Sequence, residues 1–271
     1  MKLQLVSPRQ GALWVRNGFR IFARRPLAFT MLFIAYLVTG QLLMLLWPVG
    51  PLLLFALVPL VSLGFMIATQ AALDGRMPLP SMFFEPLRAG RKQLRSQLLL
   101  CALYSGAISL VIWLTDAVAG RAFDAFQQAM SSGQATPETL GPLIADPALQ
   151  TGILLFLGLT AALAVPFWFA PALVHWGAQG WGKALFFSTM ACWRNKGALV
   201  VYALSWGGVV MLFALLSNIV FGLLDMPQMV VLAATPAALM FSTVFYASLY
   251  FTFADCFEPR AGADVIPLRA P

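Results

Sequence analysis

Residues 10–47 read QGALWVRNGFRIFARRPLAFTMLFIAYLVTGQLLMLLW, and two patterns meet in them at Pro26. Ahead of the proline, Arg16, Arg20 and Arg24 recur at helical spacing, while Trp14, Val15, Gly18, Phe19, Ile21 and Phe22 fill the opposite arc. A basic stripe opposed by an apolar face is the pattern of a helix lying in a membrane interface, apolar side down and arginines toward headgroups. Proline disfavours helix at the residue before it, so this helix should end at Arg25. Beyond it, Leu27 to Trp47 carries no charge. A run of about 20 apolar residues is what a helix needs to cross the hydrocarbon of a bilayer.

Further runs follow. Stretches at about 27–47, 49–73, 97–115, 151–176, 198–224 and 229–253 predict six spans. They are long and apolar on every face, unlike the short alternating segments of a barrel. Of 271 residues, 61% are apolar and 10% charged, with a mean hydropathy of +0.84. Soluble domains run at about 45–50% and about 25%. A disordered chain, a collagen-like repeat and an ordinary soluble enzyme are thereby excluded. The fold class is all-α: a polytopic membrane protein forming one integral membrane domain over residues 1–271. A cleaved signal peptide is not expected, because the first run outlasts a signal core and another follows at once.

Charge gives the orientation. Sixteen of the 17 basic residues fall before span one, between spans two and three, between spans four and five, or after span six. The other side holds Arg121 with Asp116, Asp124, Glu138, Asp146 and Asp225. Cytoplasmic loops carry the Lys and Arg excess, which places both termini in the cytoplasm. The net charge of +7 thus reads as topology, and no nucleic-acid partner is expected. Residues 116–150 form the one sizeable external segment. It should hold a short helix from Asp116 to Met130, break at Ser131-Ser132-Gly133, and stay irregular through Pro137, Pro142 and Pro147.

Two more basic stretches precede spans three and five. In Ser81–Gln97, Arg88, Arg91, Lys92 and Arg95 share one face. In the third stretch Trp181, Leu185, Thr189, Cys192 and Trp193 share an arc away from Lys183 and Arg194. Residues 22–27 and 193–198 both run aromatic, basic or polar, breaker, apolar. The expected plan is therefore three cytoplasmic interfacial amphipathic helices in a threefold helix-hairpin repeat, the middle copy carrying the external insertion. Arg16, Arg20, Arg24, Arg88, Arg91, Lys92 and Arg95 are candidate lipid-headgroup contacts, each worth about 1 kcal/mol near an anionic surface. Topology and anchoring account for the same residues.

Catalytic chemistry finds little purchase. Asp74, Asp116, Asp225 and Asp255 fall at span ends, as does the one histidine, His175. Cys101, Cys192 and Cys256 make no CxxC pair. No catalytic set, metal site or cofactor is expected, and proton pumping or intramembrane catalysis would need a buried ionisable group. Neutral polarity and prolines remain. Gln41, Pro166, Pro171 and Asn218 make a candidate intramembrane polar or kink site. Each proline removes a backbone hydrogen bond, so span four should kink or break, and broken helices can present carbonyls to a substrate. Pro59 and Pro236 should bend spans two and six.

Three sets of residues carry a resemblance: Trp14, Gly18, Phe22 and Pro26; Ala170-Pro171-Ala172-Leu173-Val174; and Ala184-Leu185, Ser188, Ala191-Cys192 and Asn195. Together they resemble a family of uncharacterised bacterial inner-membrane proteins with about six spans, over nearly the whole chain. More loosely they are similar to the membrane domain found beside some glycerophosphodiester phosphodiesterases. The closer family implies the bacterial inner membrane and no assigned activity. The phosphodiesterase activity resides in a soluble barrel domain and is not carried over. The expected role is a non-enzymatic accessory, scaffold or lipid-interacting protein whose partners are membrane lipids or another membrane protein, in an oligomeric state the sequence leaves open. The alternative, a transporter or channel-like protein for a neutral or amphipathic solute, requires Gln41, Asn218 and the Pro166–Pro171 break around one shared cavity.

Overall fold

A computed structural model describes residues 2–131, 137–226 and 228–257. Among these the regular structure is helical, apart from one isolated antiparallel bridge between Leu3 and Phe257. Helix α1 spans Gln10–Arg24, α2 Pro26–Met44 and α3 Gly50–Leu73. A short 3-10 helix at Pro80–Phe84 and α4, Glu85–Arg88, lead into α5, Arg91–Ser131. Then come α6, Pro137–Ile144, α7, Pro147–Phe167, and α8, Ala170–His175. Helices α9, Trp181–Arg194, α10, Lys196–Leu223, and α11, Gln228–Cys256, are the last among the described residues. Helices α2, α3, α5, α7–α8, α10 and α11 are the six long enough and apolar enough to cross a membrane.

Burial ranks these spans. The most apolar window of α3 is 56% buried and that of α11 50%, against 11% in α7–α8 and α10. Helices α3 and α11 are therefore central, and the rest present leucine, isoleucine, valine and methionine outward, as lipid requires. The first and last described segments meet at one end of the bundle, where the Gln4 amide donates to the Cys256 carbonyl at 2.9 Å. That contact by itself demands an even number of crossings. The same end gathers the basic segments: Arg25 donates to the Gly75 carbonyl at 3.0 Å, tying the entry of span one to the exit of span two.

Helix α1 has the faces its sequence dictates, but a different partner. Trp14, Val15, Gly18 and Ile21 are buried, and Arg16, Arg20 and Arg24 are exposed. The buried face lies on α10 and α11, not on lipid. Two glycines permit this. A Cβ at Gly11 would strike the Ala198 carbonyl of α10, and one at Gly18 would lie 2.7 Å from the Ser248 side chain of α11. Phe19 then packs against Trp206 at 5.7 Å and Phe241 at 6.3 Å.

The other two basic stretches depart further. The middle one is no single helix: it breaks at Ala89–Gly90, and Arg91, Lys92 and Arg95 occupy the first turns of span three itself. In α9 the buried face is the small one, Ala184, Ser188, Ala191 and Cys192, packed on α7 and α8. Phe186, Phe187, Met190 and Trp193 point outward. Small residues face protein because they let backbones approach closely, and bulk goes to lipid. Each stretch thus packs on the return span of a different hairpin: α1 on α11, the 3-10 turn on α3, α9 on α7.

The external segment differs as well. Helix α5 does not stop near Thr115 but runs on to Ser131, 41 residues in all. Beyond it Pro137 and Pro147 start helices instead of preventing them, and Pro142 lies inside one, α6. Pro137 and Pro147 are the first residues of α6 and α7, where a missing N–H costs nothing and the fixed φ is already helical. Asp146 caps α7 by accepting from the Ala148 amide at 2.8 Å. Pro59 and Pro236 lie inside α3 and α11, which run on through them.

Substituting Gly18→Leu should destabilise the purified protein by about 1–3 kcal/mol, the usual cost of overpacking. Ala23→Leu, on the exposed side of α1, should leave the thermal melting midpoint in detergent unchanged.

Candidate functional site: the broken fourth span and the basic end

Span four is broken between α7 and α8, at Trp168–Phe169. Pro171 has no N–H to offer the Phe167 carbonyl. Two residues earlier, the Phe169 amide should donate to the Val165 carbonyl, and a hydroxyl from α9 stands between them. Ser188 Oγ accepts from the Phe169 amide at 3.0 Å and donates to the Val165 carbonyl at 3.0 Å. The Cys192 thiol approaches the same carbonyl at 3.5 Å. An inserted side chain is a recognised cause of a sharp kink, and away from water an unpaired peptide group costs several kcal/mol. The Trp168 indole donates to Thr252 Oγ1 of α11 at 3.3 Å.

Two glutamines tie α8 to α5. Gln97 Nε2 donates to the Pro171 carbonyl at 2.8 Å, and Gln93 Nε2 to that of His175 at 3.2 Å. They stand one turn apart on α5 and reach carbonyls one turn apart on antiparallel α8. The Val165 carbonyl and Phe169 amide at the break, and two carbonyls of α8, are thus held by the protein's own side chains. Gln41 and Asn218 do not join them. Both lie on exposed faces of α2 and α10, and the Asn218 amide donates to Ala214 of its own helix at 2.8 Å. Pro166 is half-buried and Pro171 buried at the break. The four residues of the expected polar site are not brought together.

The N-terminal segment is bound to this end. Asn195, buried between α9 and α10, accepts from the Val6 amide and donates to the Gln4 carbonyl, both at 3.0 Å. One oxygen of Asp255 accepts from Gln10 Nε2 at 2.5 Å and from Trp14 Nε1 at 2.7 Å. Around this pinned core Arg16, Arg20, Arg24, Arg88, Arg91, Lys92 and Arg95 are all exposed. Among the described residues the ion pair present is Arg76 with Asp74, at 3.1 Å, and none of those seven cations is matched by a carboxylate.

Sequence reasoning missed a tyrosine group. Tyr36 of α2 and Tyr246 of α11 have ring centroids 6.5 Å apart, Tyr246 stacks on Phe65 at 5.1 Å, and Tyr104 of α5 lies within electrostatic reach of both tyrosines. No periodicity links positions on three separate spans, so only the packing reveals them.

A protein of Burkholderia thailandensis, named as a probable inner membrane protein, is 34% identical to this chain over 278 residues, 98% of each. The chain belongs to that family. No family model matches it, and no solved structure does. As a member of this inner-membrane family it is an integral membrane protein, and the six apolar helices are its spans. The 98% coverage means that the broken span, the basic end and the long fifth helix all lie within the aligned region.

Two outcomes are expected. Ser188→Ala leaves the Phe169 amide and Val165 carbonyl without their bridge and should cost about 1–3 kcal/mol, the usual penalty for an unsatisfied buried group. All three cysteines are free and buried, and burial pushes the Cys192 thiol up to about 12. The thiolate is the reactive form, so Cys192 should resist maleimide in the folded protein at neutral pH. It should gain reactivity only as pH climbs toward that value or on denaturation, read by mass spectrometry.

Proposed function

We propose that this chain is a non-enzymatic accessory or lipid-interacting protein of the inner membrane, with both termini in the cytoplasm. The carrying observation is the basic end: seven exposed cations without carboxylate partners among the described residues, set where six spans begin and end. Positive charge at a membrane surface finds its counter-charge in anionic headgroups, each cation contributing about 1 kcal/mol. The positive-inside rule supports the orientation. The loose similarity to the membrane domain beside glycerophosphodiester phosphodiesterases is in keeping with a lipid setting. The transport alternative lacks its site, because Gln41 and Asn218 lie on exposed faces away from the break, whose Val165 carbonyl and Phe169 amide are bridged by Ser188.

A cysteine placed at Lys92 tests the orientation against the buried native cysteines. A membrane-impermeant maleimide should label it from the cytoplasmic side alone; labelling from the outside would reverse the topology. Gentle extraction followed by mass spectrometry tests the role. An enriched anionic lipid or a stoichiometric membrane-protein partner fits the proposal, and a retained small solute would favour transport.

A further inference from the structure

Beside the first turns of α5 lies an open groove of about 340 Å³, lined by Arg91, Leu94, Arg95, Leu98 and Leu99. Its size is at the low end of the roughly 300–1,000 Å³ usual for ligand sites. Its walls are almost wholly apolar, because the arginines contribute aliphatic stems there. Arg91 and Arg95 are one turn apart, exposed, and unmatched by any carboxylate among the described residues. Leu98, two turns from Arg91 and so about 10 Å along the axis, is 51% exposed and lies where the helix becomes continuously apolar. Guanidinium groups pair bidentately with phosphate oxygens, and the leucines beyond them offer an apolar track leading into the bilayer.

We propose that this groove holds one anionic glycerophospholipid, its phosphate between Arg91 and Arg95 and an acyl chain along Leu94, Leu98 and Leu99. The proposal rests on the lipid-interacting reading and deepens it, since it turns a diffuse basic surface into one located site. Neither a zwitterionic lipid nor a free anion matches both halves: the first brings no net charge to two unpaired arginines, and the second leaves the leucine wall uncovered.

The full-length protein in nanodiscs of mixed phosphatidylglycerol and phosphatidylcholine provides the test, with retained lipid counted by native mass spectrometry after release. The wild type should keep phosphatidylglycerol in preference to phosphatidylcholine. Arg91→Gln with Arg95→Gln should lower that retention on the order of tenfold, by the loss of two surface charges. Leu98→Trp keeps every charge but fills the groove, and should lower it comparably. Lys183→Gln with Arg194→Gln removes as much charge from the exposed side of α9, outside the seven cations, and should leave it nearly unchanged. If the α9 variant loses the lipid and the two groove variants keep it, the site is overturned while the lipid-interacting reading stands. A wild type that shows no preference overturns both.

Discussion

The bundle is closed by the contact of α1 with α11. A tryptophan near the start of the chain donates to a carboxylate near the last described helical turn, Trp14 to Asp255 at 2.7 Å, and Gly18 lets the two helices touch. That closure brings the N-terminal segment up to its anchors. Asn195 and the Cys256 carbonyl bind its backbone as a pairing strand would. The indole N–H and the carboxylate are each costly to bury unpaired, so each makes the other tolerable. The apolar face of α1, which would otherwise need lipid, is spent on protein.

A second constraint is local. Pro166 and Pro171 make a continuous fourth span unfavourable; one hydroxyl bridges the break, and two carboxamides tie the short helix after it to α5. That requirement explains the small face of α9. Ser188 reaches Val165 and Phe169 only if Ala184, Ala191 and Cys192 let α9 lie against α7. The helix then has no choice but to turn Phe186, Phe187 and Trp193 outward.

Six apolar runs were legible from hydropathy alone, as were the faces of α1 and the break in span four. What was not legible has physical reasons. Hydropathy reports solvent and not backbone, so Asp116, Arg121 and Asp124 mark where α5 leaves hydrocarbon without marking an end to the helix. Prolines at 137 and 147 look like breakers until one knows that they stand first in their helices. A helical wheel cannot tell whether an apolar face meets lipid or protein, which is why α1 and α9 were both expected to lie on lipid. Gln41 and Asn218 stood out by polarity, yet an amide that bonds its own helix, as Asn218 does, needs no site. The tyrosines were invisible for the opposite reason, since a lone tyrosine in a span reads as one more aromatic.

Helix α5 has one further consequence. At about 1.5 Å per residue it is a rod of about 60 Å, roughly twice the hydrocarbon thickness. Its outer part is braced where Gly152 of α7 packs on Ala119 and Phe123. A rigid shaft of that length works as a lever. A tilt of about 5° about its midpoint would carry either tip by roughly 3 Å, from the same rise per residue. The groove at Arg91–Leu99 and the outermost turn at Ser131 are two handles of one unbroken piece, so a displacement imposed on one face of the membrane is felt on the other without any joint in between.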